Sequence, residues 1–238
     1  MAKNLDFLKW ATDPDFYYLI GLICTDGNIR YPTEVKKKGI GYSCHINLNK
    51  QDKALIERIK EKFGGNIFHA KDNTIRWYIS SRPFIEYLQR IGVTHNKSKT
   101  LNVKDWFIQL SFKNQKHFIR GVIDGDGSIK EYKHNFRTFN ICSGSPDFYN
   151  MLKNYFCNNY PTIPLKEQHR PTYSYIIYNG KNMIKPLTDI YEDVSEIIRP
   201  KQQFVLYMKR KYETFKQIRK YFDSIYPLKQ ANYAKKVL

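Results

Sequence analysis

Apolar residues recur with helical spacing and with strand spacing in a fixed order along the first half of the chain. A helical pattern ends near Asp26, a strand pattern covers 42–49, and a second helical pattern covers 53–63. Another strand pattern over 74–80 precedes a helical one over 82–91. The first half is therefore predicted to form a helix–strand–strand–helix–strand–strand–helix unit.

The alternation of apolar and polar residues is clearest in the predicted strand 42–49. One face is apolar and is expected to pack on helices: Tyr42, Cys44, Ile46 and Leu48. The other face carries uncharged hydrogen-bonding side chains: Ser43, His45, Asn47 and Asn49. Residues 74–80 alternate too, which places Arg76 and Tyr78 on a polar face. Such faces could read base edges in a DNA groove, although an ordinary solvated face explains the first strand equally well.

One segment of the sequence occurs twice. Residues 21–29 and 121–129 both read G-x-I-x-x-D-G-x-I. The flanks of the second copy loosely repeat the order of the first, as strand 136–143, helix 147–156, strand 172–178 and helix 182–190. The chain is therefore predicted to consist of two units, 1–105 and 106–238. The tail after Tyr212 is predicted to be helical and has no counterpart in the first unit.

Each copy of the segment lies at the end of a predicted helix. Asp13 and Pro14 predict the start of the first helix, and Gly27 is typical of the residue just past a helix end, where a positive φ is usual. Gly21 and Gly121 each cost about 1 kcal/mol relative to alanine in a helix interior, and they permit two backbones to approach closely. The two helices are therefore expected to pack against each other between the halves.

This packing would bring Asp26 and Asp126 to the same edge of the helix pair. A carboxylate at a helix C-terminus opposes the helix dipole by a few tenths to about 1 kcal/mol, and two neighbouring carboxylates also repel each other. Mg²⁺ removes both penalties, because it accepts one or two carboxylates, keeps waters and takes phosphate oxygens as further ligands. The pair predicts metal-assisted hydrolysis of phosphodiesters, whereas a single Asp-Gly would indicate only a turn or a helix end.

The charge of the chain indicates its class of partner. Lys and Arg number 40 against 22 Asp and Glu, and the net charge of +18 favours nucleic acid first and a membrane surface second. With 42% hydrophobic and 16% aromatic residues, the chain is not a disordered basic tail. The longest apolar run is too short to span a membrane, and no secretory signal is expected at the start because it has no uninterrupted apolar segment. Four scattered cysteines and six histidines without ligand spacing argue against zinc, disulfide and histidine-metal frameworks, and an intracellular location is expected.

Residues 19–27 and 119–127 resemble the signature of the LAGLIDADG homing endonucleases, in the single-chain form that carries two copies. The departures from that signature are Ile20, Cys24 and Thr25 in the first copy and Arg120 and Val122 in the second. The penultimate acid, which binds metal in that family, is present in both copies as Asp26 and Asp126. Cys24 replaces an acid that is not usually assigned a metal role.

The resemblance implies an α+β fold. Two pseudo-symmetric αββαββα repeats would form a saddle with two antiparallel four-stranded sheets, with the motif helices at the interface between the repeats. Such a protein is expected to be a monomer that straddles double-stranded DNA. It would cut both strands of a long, asymmetric target with Mg²⁺ or Mn²⁺ and leave 3′ overhangs.

The resemblance also implies roles for particular residues. Asp26 and Asp126 would be catalytic metal ligands, joined by the backbone carbonyls of Thr25 and Gly125. A basic side chain near each scissile phosphate points to Lys99 and Lys201 on matching position, although the residues alone indicate only solvated or phosphate-positioning lysines. Two more residues, Lys50 and Gln51, are candidates for orienting the attacking water and contacting DNA. The basic runs 36–38 and 209–211 are typical of solvated surfaces or of phosphate contacts.

Two rival functions remain open at this point. An RNA maturase would bind its own intron RNA on the same fold without needing to cut, and a DNA-binding regulator would use the same scaffold. Intact acids at both motif positions favour the nuclease but do not exclude a maturase. Frequent Lys, Asn, Ile and Tyr indicate an AT-rich genome, whether organellar, bacterial or viral.

Overall fold

Two four-stranded antiparallel sheets flank a central pair of helices. A computed structural model describes residues 7–32, 41–69, 73–132, 136–194 and 205–226. The sheets have the strand orders β1-β2-β4-β3 and β5-β6-β8-β7, so each unit has the same topology. The predicted α+β class and the two sheets are confirmed. The division of the chain into 1–105 and 106–238 stays a prediction.

The elements follow the predicted order in both halves. The first unit contains α1 (Pro14–Asp26), β1 (Gly27–Arg30), β2 (Ser43–Asn49), α2 (Lys53–Phe63), β3 (Asn66–His69), β4 (Thr74–Ile79) and α3 (Arg82–Arg90). Two short helices connect the units, α4 (Lys97–Thr100) and α5 (Lys104–Phe107). The second unit contains α6 (Phe112–Asp126), β5 (Gly127–Glu131), β6 (Arg137–Ser143), α7 (Pro146–Asn159), β7 (Lys166–His169), β8 (Ser174–Asn179) and α8 (Ile184–Tyr191), and the tail forms α9 (Lys209–Ile225).

The first motif helix starts as predicted and ends differently. The side chain of Asp13 accepts a hydrogen bond from the amide of Asp15, and Pro14 occupies the first turn. Gly27, however, has φ −80° and ψ 155°, which is extended backbone, so the predicted positive φ is wrong. A Cβ at Gly27 would lie 2.5 Å from the carbonyl oxygen of Ile23. The glycine is needed because β1 leaves the helix in close contact with its last turn.

The two motif helices pack backbone to backbone. A Cβ on Gly21 would lie 2.1 Å from the carbonyl oxygen of Phe118, and a Cβ on Gly121 would lie 2.1 Å from that of Tyr18. No side chain fits at either position without moving a helix. The predicted interface between the halves is confirmed, and it explains why both copies accept a helix-weakening glycine.

A short segment near the C-terminus is fastened to both motif helices. The amide of Leu206 donates to the Asp15 carboxylate at 2.6 Å, and the amide of Met208 donates to the Asp124 carboxylate at 2.6 Å. Arg120, a departure from the family signature, is fully buried and donates to the Leu206 carbonyl at 3.0 Å. Asp124 therefore has a structural role here, since it also accepts hydroxyl hydrogen bonds from Tyr18 and Tyr191.

The sheets bury one face each, with the predicted alternation. On the apolar face of the first sheet, β2 and β4 bury Cys44, Ile46, Leu48, Ile75, Trp77 and Ile79. Cross-strand pairing places Asn47 opposite Arg76 and His45 opposite Tyr78, which puts all four on the other face. Helix α2 contacts β2 and β4. Within the described ranges, no helix is both long and apolar enough to cross a membrane.

Candidate active site and nucleic-acid surface

The two motif acids lie together because the ends of α1 and α6 touch. A Cβ on Gly125 would lie 1.9 Å from the hydroxyl oxygen of Thr25, so the residues that precede the two acids are in direct contact. Asp26 is half-buried, and Asp126, at the equivalent end of α6, keeps part of its side chain exposed while the rest is shielded from solvent. The structure thus brings together the four residues expected to bind metal.

The electrostatics of this site are those of two crowded carboxylates. Burial, followed by the charge of Asp126, raises the pKa of Asp26 to about 6. Burial also raises the pKa of Asp126, and the nearby ammonium groups of Lys97 and Lys211 oppose that shift. Like-charge repulsion and partial burial both make it costly to ionise these carboxylates, and a bound cation would lower that cost.

Two lysines that the sequence analysis did not select lie at this site, one for each motif. The ammonium of Lys97 donates to the carbonyl of Thr25 at 2.8 Å. The ammonium of Lys211 is buried and donates to carbonyls at the end of α6, at 2.7 Å for Gly127 and 3.0 Å for Gly125. Each lysine therefore contacts the carbonyl that precedes a motif acid, at the negative end of a helix dipole. Burial lowers the pKa of Lys211 to about 8.

Of the two lysines expected from the family pattern, the structure describes only Lys99. Lys99 is exposed and lines the same cavity as Lys97 and Asp126, so it stays a candidate. Lys201 and the run 36–38 lie outside the described residues. A solvated role does not fit Lys211 of the run 209–211, because its ammonium is buried and donates to protein carbonyls.

An open cavity of about 470 Å³ adjoins the acids. Its wall includes Asp126, Thr25, Lys97 and Lys99, together with Tyr175 of the second sheet. It therefore combines carboxylate, carbonyl and ammonium groups within one space. That combination suits a phosphodiester, whose oxygens require positive charge around them.

The predicted DNA-contacting residues of the first sheet divide into exposed and buried groups. Asn47 and Arg76 are exposed, and Nε of Arg76 donates to the side-chain oxygen of Asn47 at 2.6 Å. Tyr78 is half-buried on the same face. Ser43 and His45 are buried, with 6% and 9% of their surface exposed, so they offer little surface to a bound molecule, and their DNA-binding role stays a prediction. The strand period fixes which face a residue occupies but not how deeply neighbouring strands cover it.

The end of β2 has a local structural role that the pattern did not reveal. The side chain of Asn49 accepts a hydrogen bond from the amide of Gln51 at 3.0 Å and caps the short 3₁₀ turn Lys50–Asp52. Lys50 and Gln51 are both exposed on this turn. Their predicted role in orienting water stays a prediction.

The donor set at the acids fits a hard divalent cation. Among the described residues, no three or more His, Cys, Asp or Glu side chains form a metal-binding group. The carboxylates of Asp26 and Asp126 lie close together instead, and the carbonyls of Thr25 and Gly125 beside them accept hydrogen bonds from Lys97 and Lys211 in this structure. Mg²⁺ is commonly bound by one or two carboxylates, with waters and substrate phosphates as its other ligands. The protein would therefore supply only some of the ligands of the cation, as expected where a substrate phosphate supplies others.

Comparisons with known proteins identify the fold. No protein-family model and no curated protein matches the sequence. The LAGLIDADG meganuclease I-AabMI bound to uncleaved DNA matches with a TM-score of 0.58 and 14% identity, over 90% of this chain and 92% of that one. I-SmaMI bound to an uncleaved DNA target with calcium ions gives 0.56 and 14%, over 90% and 93%. The I-LtrWI LAGLIDADG homing endonuclease bound to target DNA gives 0.55 and 15%, over 89% and 91%.

The two halves of the chain share one topology, and each contributes a helix that ends in a motif acid, Asp26 or Asp126. This chain has the fold of the single-chain LAGLIDADG homing endonucleases, over about nine-tenths of its length. The saddle architecture expected from the two motif copies is confirmed at the level of the fold.

Proposed function

We propose that this protein is a site-specific endonuclease that cuts both strands of duplex DNA. The proposal includes a long, asymmetric target, 3′ overhangs, Mg²⁺ or Mn²⁺ as cofactor, and action as a monomer. The observation that carries it is the meeting of Asp26 and Asp126 at the ends of two close-packed helices, beside a basic cavity. Proteins of the same fold bound to DNA, in one case with calcium ions, support the choice of substrate.

The chemistry follows from the groups at the acids. Asp26 and Asp126, with the carbonyls of Thr25 and Gly125, are the residues that would hold divalent cations. A bound cation would supply Lewis-acid stabilisation of the phosphate oxygens. The chain itself contributes position and charge, because the rigid helix pair fixes both carboxylates and the surrounding lysines attract the phosphate.

We assign the basic groups at this site unequal roles. Lys97 is half-exposed and lies in the cavity with Asp126, so its ammonium is free to turn from the Thr25 carbonyl towards a phosphate oxygen. Lys211 is held among four carbonyls and would position the end of α6. Lys99 and Lys201 remain proposed phosphate partners.

The test of this proposal is a cleavage selection on a library of randomised DNA duplexes. With Mg²⁺ we expect a defined subset to be cut on both strands, and sequencing of the ends should show 3′ overhangs. With Ca²⁺ the same subset should bind and stay intact, since Ca²⁺ is larger and less exacting in its geometry. Binding without cutting under Mg²⁺ would contradict the proposal and favour the regulator, and selective binding of intron RNA alone would favour the maturase.

Replacing Lys97 by methionine should lower the cleavage rate about a hundredfold, the scale seen when one charge-stabilising donor is lost. Lys99→Met is the matched comparison, because the two lysines line the same cavity. We expect Lys99→Met mainly to weaken DNA binding, with a smaller effect on single-turnover rate. A larger rate loss in Lys99→Met than in Lys97→Met would reverse the assignment.

A further inference from the structure

The two sheets present equivalent positions with different chemistry. The registers align row by row, so the row Asn28–His45–Tyr78 in the first sheet corresponds to Ser128–Asn140–Ile177 in the second. The neighbouring rows pair Asn47 with Arg76 in the first sheet and Cys142 with Tyr175 in the second. Because the two sheets share one topology, they differ in the side chains that they present to a bound molecule and not in strand order.

The first sheet offers fixed hydrogen-bond donors. Arg76 is exposed in the middle of β4, and its Nε donates to the side chain of Asn47. This hydrogen bond restrains the guanidinium through Nε and does not use its two terminal nitrogens. Arg30 adds a second exposed guanidinium on β1. An arginine held in this way is suited to the paired acceptors O6 and N7 of guanine.

The row of His45 lies between the rows of these two arginines in the sheet. Burial, followed by the charges of Arg76 and Arg30, lowers the pKa of His45. The lowered pKa makes the imidazole harder to protonate than that of a free histidine. Within β1–β4, Arg30 and Arg76 are the residues that carry a permanent charge.

In the second sheet, Tyr175 occupies the position of Arg76 and Lys130 that of Arg30, and an apolar groove lies across the rows of Thr138 and Asn140. The groove is wide open to solvent, has a volume of about 710 Å³ and is lined by Tyr132, Phe136, Thr138, Asn140, Ile177 and Asn179. Tyr132 and Phe136 are 49% and 52% exposed, with ring centroids 6.0 Å apart. The groove therefore combines two amide side chains, from Asn140 and Asn179, with the apolar side chain of Ile177 and two aromatic rings.

This pairing of chemical groups matches an A·T base pair. Asparagine forms paired hydrogen bonds with N6 and N7 of adenine, and apolar side chains contact the C5-methyl of thymine. The groove continues the exposed sheet face, where Lys130 supplies positive charge next to Thr138. Duplex DNA could contact all three kinds of group at once, with its bases on the amide and apolar side chains and its phosphates on the lysine.

We infer that the two halves of the DNA target differ in base composition, with guanine-bearing pairs read by Arg76 and Arg30 on the first sheet and A·T pairs read by the Asn140–Ile177 groove on the second. This inference rests on the proposed DNA-binding function and adds the identity of the bases and of the residues that read them. It assigns no further role to the acids, so it can be tested without cleavage.

The test is a binding selection from randomised duplexes with the full chain in Ca²⁺, followed by variants on the selected site. We expect one half-site enriched in G·C pairs and the other in A·T pairs. Arg76→Ala should lower the preference for guanine by roughly 5- to 150-fold at one position of the first half-site and leave the second half-site unchanged. Ile177→Ser should relax only thymine positions in the second half-site.

Two further variants separate base reading from simple attraction. Arg76→Lys keeps the charge but loses the paired donor edge, so affinity should persist while guanine preference falls. Lys53→Ala changes an exposed lysine on α2, which packs on the opposite face, and should alter neither property. Circular dichroism of each variant confirms folding.

The possible outcomes separate the two proposals. Equal base composition in both half-sites, or a uniform loss of affinity in Arg76→Ala with unchanged guanine preference, would overturn the inference and identify Arg76 as a phosphate contact. Both outcomes would leave the DNA-binding proposal intact. Failure to enrich any duplex would reject both.

Discussion

Replacing Asp126 by asparagine is expected to abolish double-strand cleavage, with a loss of at least about a hundredfold, while DNA binding in Ca²⁺ stays close to that of the unmodified chain. Groups that merely support metal ligands already contribute 10- to 100-fold, and Asp126 is itself a proposed ligand. Asparagine preserves the shape of the side chain but removes the charge that would attract a divalent cation. The measurement is single-turnover cleavage of the selected duplex, together with a binding titration.

A matched control for this substitution lies on α9. Asp223→Asn makes the same chemical change at an exposed position, where the carboxylate pairs only loosely with Arg219 at 3.7 Å. Its cleavage rate should be unchanged. Asp26→Asn should behave like Asp126→Asn, because the ends of the two motif helices are in contact and bring both carboxylates to one site. Full activity in either motif variant would reject the proposed metal site.

The second large effect is expected in stability, from Gly121→Ala. The added methyl group would lie 2.1 Å from the Tyr18 carbonyl oxygen and 2.9 Å from the Leu22 amide nitrogen, both backbone atoms of α1. Alanine gains about 1 kcal/mol of helix propensity, but the clash requires the two helices to separate. We expect a net loss of about 3 kcal/mol in the free energy of unfolding, measured by urea denaturation. For a chain of this length this is a fall of roughly 6 to 12 °C in Tm.

The control for the glycine substitution is Gly41→Ala. A Cβ at Gly41 meets no atom within 4 Å, so this variant should unfold within about 0.5 kcal/mol of the parent. Separation of α1 and α6 would also move Asp26 from Asp126, and the folded fraction of Gly121→Ala should cut DNA more slowly. An unchanged unfolding midpoint in Gly121→Ala would contradict the close packing of the helix pair.

Local features of the sequence were sufficient for the element order and for the two acids. The helix and strand periods are short-range properties, and the doubled motif relates positions that pack symmetrically. The glycines at 21 and 121 indicated the close helix contact because their cost in a helix needs a compensating reason. The error at Gly27 arose because a glycine at a helix end is compatible both with a positive φ and with a close extended exit.

The lysines at the acids were beyond the reach of these patterns. Lys97 is 72 residues from its partner Thr25, and Lys211 is 86 residues from Gly125. In a chain with 40 basic residues, nothing local distinguishes these two from the rest. The same holds for Asp15 and Asp124, which accept amide hydrogen bonds from a segment near the C-terminus.

The sequence by itself determined the repeated plan, the helix pair and the identity of the acids, because periodicity, caps and a duplicated motif act over a few residues. Only the tertiary structure decided which lysines face the acids, which polar strand residues are covered, and how the two sheets differ as reading surfaces. Those properties depend on the distances between segments far apart in the chain, and close packing sets these distances only after the whole chain has folded.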